Sequence, residues 1–458
     1  MQVLALLASL PLLIFSGGMQ SPAESDSVQR LADTFVERQF APGIAIGVLH
    51  KSGRVSTYCA GTLEFGDGRP ITEDTIFEIG SITKVFTATL AHLLEQRGEL
   101  SLAGPLRVHL PDEVDIKVVD GNEITLWHLA THTSGLPRMP DNPDDSQPNP
   151  HLGYTNAQLY KFLEVTGPQR APGQCEYSNI GMGLLGHVLE LNQNASYQEL
   201  AQQHLLEPLK MSSTSCVPRD ADAGRVATAH GGLEPVGAWN LSGPFSGAGD
   251  LNSSIKDMMK FAQANVSDSD TQLHRSIRAC HIPQVKNSSH GDQGLGWQVN
   301  STPGREVIWH NGQTGGFASY MGIQPDSGTA VVVLCNSNRG VSQAAQIGGH
   351  LLFPHVVRAE DIPWMIPTYR PKTPIDFGKY VGRYKSKSGS KFVVENRNGE
   401  LFARLEKQNF IGLRPIRKDL FQTVSVNAQL RFQPDARGGV KALVLEQNGR
   451  KTTYTRVP

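Results

Sequence analysis

Cysteine is scarce in this chain, five in 458 residues, and none stands in a Cys-x-x-Cys pair or at zinc-ligand spacing from histidine. Neither HExxH nor a His-x-His-x-Asp cluster occurs, so the sequence carries no metal or cofactor signature and no disulfide framework. An excess of either charge is also missing. Lys+Arg 42 stand against Asp+Glu 43, a formal net charge of -1, which removes the electrostatic case for a nucleic-acid partner or a polybasic membrane contact. Beyond the N-terminus no apolar run is long enough to span a bilayer. What remains is a globular balance, 39% hydrophobic and 19% charged, with length for two or three domains.

The one long apolar run is Val3 to Phe15, followed by small residues and by Ser21-Pro22-Ala23, which fits a small-x-small cleavage site. Residues 1–23 read as a secretory signal peptide, although the leading segment carries no Lys or Arg; a buried N-terminal helix or membrane anchor is the alternative. A cleaved leader makes the mature protein secreted or periplasmic, with no stable membrane span. The cysteines (Cys59, Cys175, Cys216, Cys280, Cys335) are odd in number, so at least one is unpaired, and Cys335 in an apolar run reads as core. Six Asn-x-Ser/Thr sequons have meaning only in a eukaryotic secretory pathway.

Along the chain, Ser27 to Phe40 predicts a helix, and Gly43 to Leu49 with Val55 to Ala60 a hairpin turning at Lys51-Ser52-Gly53. A helical, loop-rich region runs to about residue 265 and includes Met139 to Pro150, an acidic, Pro-rich loop expected to be exposed. From Gly294 strands return: Trp297 to Val299, Glu306 to His310, Ser319 to Ile323 and Ala330 to Cys335, then a helix over Ser342 to Leu352. Strands at both ends with helices between predict an α+β fold: one antiparallel sheet flanked by helices, plus a helical lobe, spanning 24–360. A Pro-rich linker covers 361–375. Eight short alternating segments then fill 376–458, with hairpin turns at Asn398-Gly399 and Asn448-Gly449, and predict a small all-β barrel.

Chemistry is concentrated in three places. Ser81-Ile82-Thr83-Lys84 opens an amphipathic helical run, so the Lys84 amine lies one turn from the Ser81 hydroxyl and on the same face. A serine needs such a base to become a nucleophile. Ser-x-x-Lys also recurs by chance, the plain alternative being an N-cap serine and an exposed lysine. Tyr177-Ser178-Asn179 precedes an apolar helix. A phenol works as a base only beside cations, for which Lys84 is a candidate; a helix-capping loop is the alternative. His310-Asn311-Gly312 ends a strand and runs into Gln313. His310 and Gly312 share a face, and a residue without a side chain lets substrate backbone lie against the strand edge.

These three elements, in this order, together with Phe77 to Lys84, Ile124 to Pro137 and Gly247 to Asp257, make the chain resemble the serine β-lactamase and penicillin-binding-protein family. The resemblance covers residues 28 to 355 and points to the branch of class C β-lactamases, D,D-carboxypeptidases, D-aminopeptidases and related esterases. The tail resembles a lipocalin-like appendage. The resemblance implies a serine hydrolase: Ser81 the acylated nucleophile, Lys84 and Tyr177 sharing proton transfer, and Asn179 and His310 contacting substrate beside Gly312. The N–H groups of Ser81 and Gln313 would form the oxyanion hole. His132 and Ser134 fall in a family stretch read as structural. The expected substrate is a β-lactam, a D-Ala peptide or an ester, and no cofactor is implied. Where lysine is common, this chain has His310, mostly neutral above about pH 6.5. That strengthens an esterase, aminopeptidase or weak-β-lactamase reading beside the leading one, a class C-like β-lactamase or D-Ala peptide hydrolase. A different class, a penicillin-binding protein that does not hydrolyse its ligand, is the competing expectation.

Overall fold

The structure is a computed structural model that describes residues 22–457, apart from 144–148, 150–151, 240, 242, 288–290, 359–361, 366–368, 370, 372–373, 398, 407, 409, 425, 427, 436–437 and 448. The expected signal peptide therefore lies almost wholly outside the described residues, as do Asn398 and Asn448 and much of the linker. The first described helix, Pro22–Glu37, begins earlier than Ser27.

An antiparallel sheet of eight strands organises the larger domain. Its order is Val55–Gly61, Gly43–Leu49, Thr329–Cys335, Ala318–Gln324, Val307–Gln313, Gln298–Asn300, Gly291–Gln293, Val285–Asn287. The N-terminal hairpin pairs directly with the strand Thr329–Cys335, Ile44 opposite Cys335, so the two ends of the domain close one sheet as the segment order predicts.

The strand Thr329–Cys335 shows why its sequence is apolar without a break. Side chains alternate between faces, and here both faces are covered. Ala330, Val332 and Leu334 join the core shared with the helices Thr83–Gln96 and Ile255–Asn265. Val331, Val333 and Cys335 join the core under Pro22–Glu37 and Val341–Leu352. Each such valine or leucine contributes about 1.5–3 kcal/mol by leaving water.

The helical lobe packs on the far side of Thr83–Gln96. That helix was expected to be amphipathic; it is instead buried on nearly every side, with Ile82, Val85, Phe86, Leu90 and Leu94 in the core and Thr83, Lys84, Thr87 and Thr89 buried as well. A helix wedged between sheet and lobe has no solvent face, and it ends where Gly98 takes a left-handed φ of 73°.

The C-terminal domain is a closed barrel of eight antiparallel strands, Gly382–Ser386, Lys391–Arg397, Glu400–Leu405, Ile411–Arg417, Leu420–Thr423, Ala428–Pro434, Val440–Gln447 and Arg450–Val457. Gly399 and Gly449 sit at its hairpin tips with φ of 83° and 72°. Tyr380, Tyr384, Phe392, Phe421, Phe432 and Tyr454 fill the interior.

Candidate active site

Ser81 stands where a short strand, Ile76–Glu78, turns into the buried helix. Gly80 makes the turn with φ 52°, a conformation that suits glycine, and Ser81 lies in the one-turn 3-10 segment Gly80–Ile82. The N–H groups of such a first turn have no intrahelical acceptor. A Cβ built on Gly80 would lie 3.0 Å from the Gln313 backbone nitrogen, so the end of the strand Val307–Gln313 crosses directly over the nucleophile turn.

Lys84 Nζ is 3.0 Å from Ser81 Oγ and donates to the Ala248 carbonyl at 2.6 Å. Ala248 reaches it because Gly247 and Gly186 meet backbone to backbone; a Cβ on Gly186 would lie 2.8 Å from the Gly247 Cα. Lys84 is wholly buried and has no carboxylate partner among the described residues. Burial, reinforced by the Arg138 charge, holds its pKa well below the usual lysine value. Lys84 was a candidate for the cation that tunes Tyr177; the charge that lowers the phenol is that of Arg138, while burial disfavours the charged form of Lys84.

Tyr177 hydrogen-bonds Ser81, and burial pushes its phenol up to about 12 against the lowering effects of Ser81 and Arg138. The Arg138 guanidinium lies 4.9 Å from the Tyr177 ring centroid and Lys84 Nζ 5.1 Å. Ser178 caps the helix Asn179–Gln193, accepting from the Gly181 N–H at 2.9 Å and donating to the Pro137 carbonyl at 2.7 Å. Ser178 meets the capping reading of Tyr-Ser-Asn, and the same loop sets Tyr177 against Ser81. Asn179 Nδ2 donates to Met139 Sδ at 3.1 Å.

His310 is buried beside this group, its ring 6.1 Å from that of Tyr177. Its Nδ1–H donates to the Asn311 carbonyl at 2.6 Å, which leaves Nε2 a bare acceptor with no partner among the described residues. Burial, the main cause, pushes its pKa down to about 3, so it is neutral. Gly312 faces the protein. A Cβ there would lie 2.1 Å from the Ile79 carbonyl oxygen and 2.3 Å from Ser319 Oγ, so the missing side chain seats the strand on the Ser81 turn. It does not line the cleft, which the strand-edge expectation required.

The cleft has a volume of about 900 Å³ and is lined by Ser81, Tyr177, Asn179, His310 and Gln313, five of the residues expected from sequence, and also by His132, Arg138, Met139, Trp239 and Trp309. His132, read from sequence as structural, lines the cleft: its ring lies 4.6 Å from that of Tyr177 while Nδ1 accepts the Ser178 N–H at 3.2 Å. Met139 lines the cleft and Pro140 is buried, in a loop expected to be exposed; residues 144–148 and 150 of that loop lie outside the described residues. Three residues before the nucleophile, Glu78 accepts the Trp239 N–H at 2.7 Å, and burial lifts its pKa to about 7. Among the described residues no group of three His, Cys, Asp or Glu is placed to hold a metal ion.

The family model for beta-lactamases matches residues 28–351, most of the larger domain and its site. The chain belongs to the beta-lactamase family. A beta-lactamase of Escherichia coli K12 is 28% identical over 352 residues, covering 69% of this chain and 89% of that protein. The D-alanyl-D-alanine-carboxypeptidase/endopeptidase AmpH of the same organism is 28% identical over 328 residues, covering 68% and 83%. Among solved structures, a class C beta-lactamase from Rhodobacter sphaeroides superposes with a TM-score of 0.63 at 26% identity, covering 72% of this chain and 99% of that one. The family match stops before the C-terminal barrel, and no described barrel residue lines the cleft. No helix among the described residues is long and apolar enough to cross a membrane.

Proposed function

We propose that the protein is an exported serine hydrolase that cleaves the amide bond of β-lactams or D-Ala peptides through an acyl-enzyme on Ser81. The observation that carries this is the wholly buried Lys84 amine 3.0 Å from Ser81 Oγ, its pKa held well below the usual lysine value by burial. Lys84 takes the hydroxyl proton as Oγ attacks the carbonyl carbon. The N–H groups of Ser81 and Gln313 bind the oxygen that becomes negative, a contribution typically worth about a hundred- to a thousandfold. Tyr177, protonated and hydrogen-bonded to Ser81, relays a proton to the leaving nitrogen and is reprotonated from Lys84. Water attacks the ester carbonyl in the second half, the same groups working in reverse. Similarity to a beta-lactamase and to AmpH supports amide substrates. Export rests on the apolar N-terminal run.

A second reading, hydrolysis of carboxyl esters or of D-amino acid amides, is favoured by one feature: the strand residue His310 is neutral and supplies no cation for a terminal carboxylate. The two are separated by turnover of nitrocefin, short p-nitrophenyl esters and D-alanine amides in the wild type and in Ser81→Ala. Intact-protein mass spectrometry should show one acyl adduct, located on Ser81, that decays within the turnover time. Hydrolysis persisting in Ser81→Ala would refute the assignment, and an adduct stable for hours without turnover would mark a penicillin-binding protein.

A further inference from the structure

The cleft has two walls of different electrical character. The strand wall, His310 to Gly315, carries no charge: His310 is neutral, and Asn311, Gln313 and Thr314 are uncharged. On the opposite wall stands Arg138, exposed to the cleft. Its guanidinium rests on the Tyr177 ring, and its carbonyl accepts the Asn179 N–H at 2.9 Å, which fixes it on the Tyr177–Asn179 side of Ser81. Among the described residues Arg138 makes no ion pair. Among the described residues the one carboxylate lining the cleft, Glu176, is already paired with Arg170. An arginine that stacks on a ring keeps its N–H edges free, and those edges match a carboxylate two bonds at a time.

We propose that Arg138 is the anion-recognising residue of this cleft, docking a carboxylate of the substrate on the Tyr177–Asn179 wall. This deepens the hydrolase reading and rests on it: the substrates favoured are anionic acyl donors held from the wall across from His310. The carboxylate belongs to either the acyl half or the leaving half of the substrate, and the two sources are distinguishable.

Three chromogenic esters test it: p-nitrophenyl butyrate, neutral; p-nitrophenyl hemiglutarate, with a carboxylate on the acyl half; and the butyrate ester of 4-hydroxy-3-nitrobenzoate, with a carboxylate on the leaving half. The readout is the ratio of kcat/KM for each anionic ester to that for the neutral one. In Arg138→Gln that ratio should fall about ten- to a hundredfold for one of the two anionic esters, the loss expected of a charged hydrogen-bonded pair. Arg138→Lys should recover part of it, and 1 M salt should compress the wild-type ratio. Whichever ester responds names the half that carries the carboxylate. Ratios within about twofold of wild type for both esters would overturn the proposal. Loss of Ser81-dependent turnover on every ester, neutral included, would instead count against the hydrolase reading.

Discussion

A lysine amine sealed from solvent with no carboxylate beside it releases its proton far more readily than one in water, and among the described residues Lys84 is in that position. The sign of the pH effect follows. Below its lowered pKa the amine is protonated and cannot take the Ser81 proton; above it the base is competent. kcat/KM should therefore rise with pH through that value and then stay flat, because Tyr177 ionises only at about 12. Two substitutions separate a base from a fixed charge. Lys84→Met removes both, and Lys84→Arg keeps a cation that does not deprotonate. Both should lower the acylation rate by about 10²–10⁴, the range for a general base, in stopped-flow assays with nitrocefin. Activity retained in Lys84→Arg would mean that position 84 works through its charge. Neither the lowered pKa nor the carbonyl of Ala248 at 2.6 Å was legible from Ser-x-x-Lys, because the motif fixes the helical spacing while the burial comes from residues more than a hundred positions away. Arg138 and His132 escape sequence for the same reason: each becomes part of the site only by its tertiary contact with Tyr177.

Among the elements, the strand Val307–Gln313 and the turn Gly80–Ile82 have to approach more closely than a side chain allows, and Gly312 is where they do so. Gly312→Ala places a Cβ 2.1 Å from the Ile79 carbonyl oxygen, so strand and turn must separate. Gln313 then moves away from Ser81. A displacement near 1 Å costs about a hundredfold in rate, and the overpacking destabilises by about 1–3 kcal/mol. Measured together, kcat should fall far more than the thermal midpoint shift accounts for; an unchanged kcat would show that the strand's seat on the turn is not critical. Such packing explains which elements were readable. The hairpin Gly43–Leu49 with Val55–Gly61, the apolar strand Thr329–Cys335 and all eight barrel strands announce themselves by alternation, apolar runs and glycine turns. The three-residue strands Val285–Asn287, at the sheet edge, and Gly291–Gln293, next to it, do not, because they are short and polar and draw their order from neighbours.

For the molecule as a whole, the barrel is a closed unit with its own core, and described contacts tie it to the hydrolase domain. Trp364 is the anchor on the hydrolase side, wholly buried with ring centroids 6.1 Å from Phe35 and 5.7 Å from Phe40. Across the seam the Tyr369 N–H donates to the Pro415 carbonyl at 2.7 Å, and Arg414 donates to the Pro363 carbonyl. This contact lies on the face of the sheet covered by Pro22–Glu37, whereas Ser81 and its cleft open beyond the opposite face. Packing alone therefore gives the barrel no route to the chemistry. Truncation after residue 375 keeps Trp364 in place and removes every barrel strand. Its kcat/KM for p-nitrophenyl butyrate and nitrocefin should stay within about threefold of the full chain. Its calorimetric trace should lose the enthalpy of an independently folding unit. A tenfold or greater loss of turnover with an intact main transition would mean that the seam holds the first helix and sheet in the register that the nucleophile turn requires.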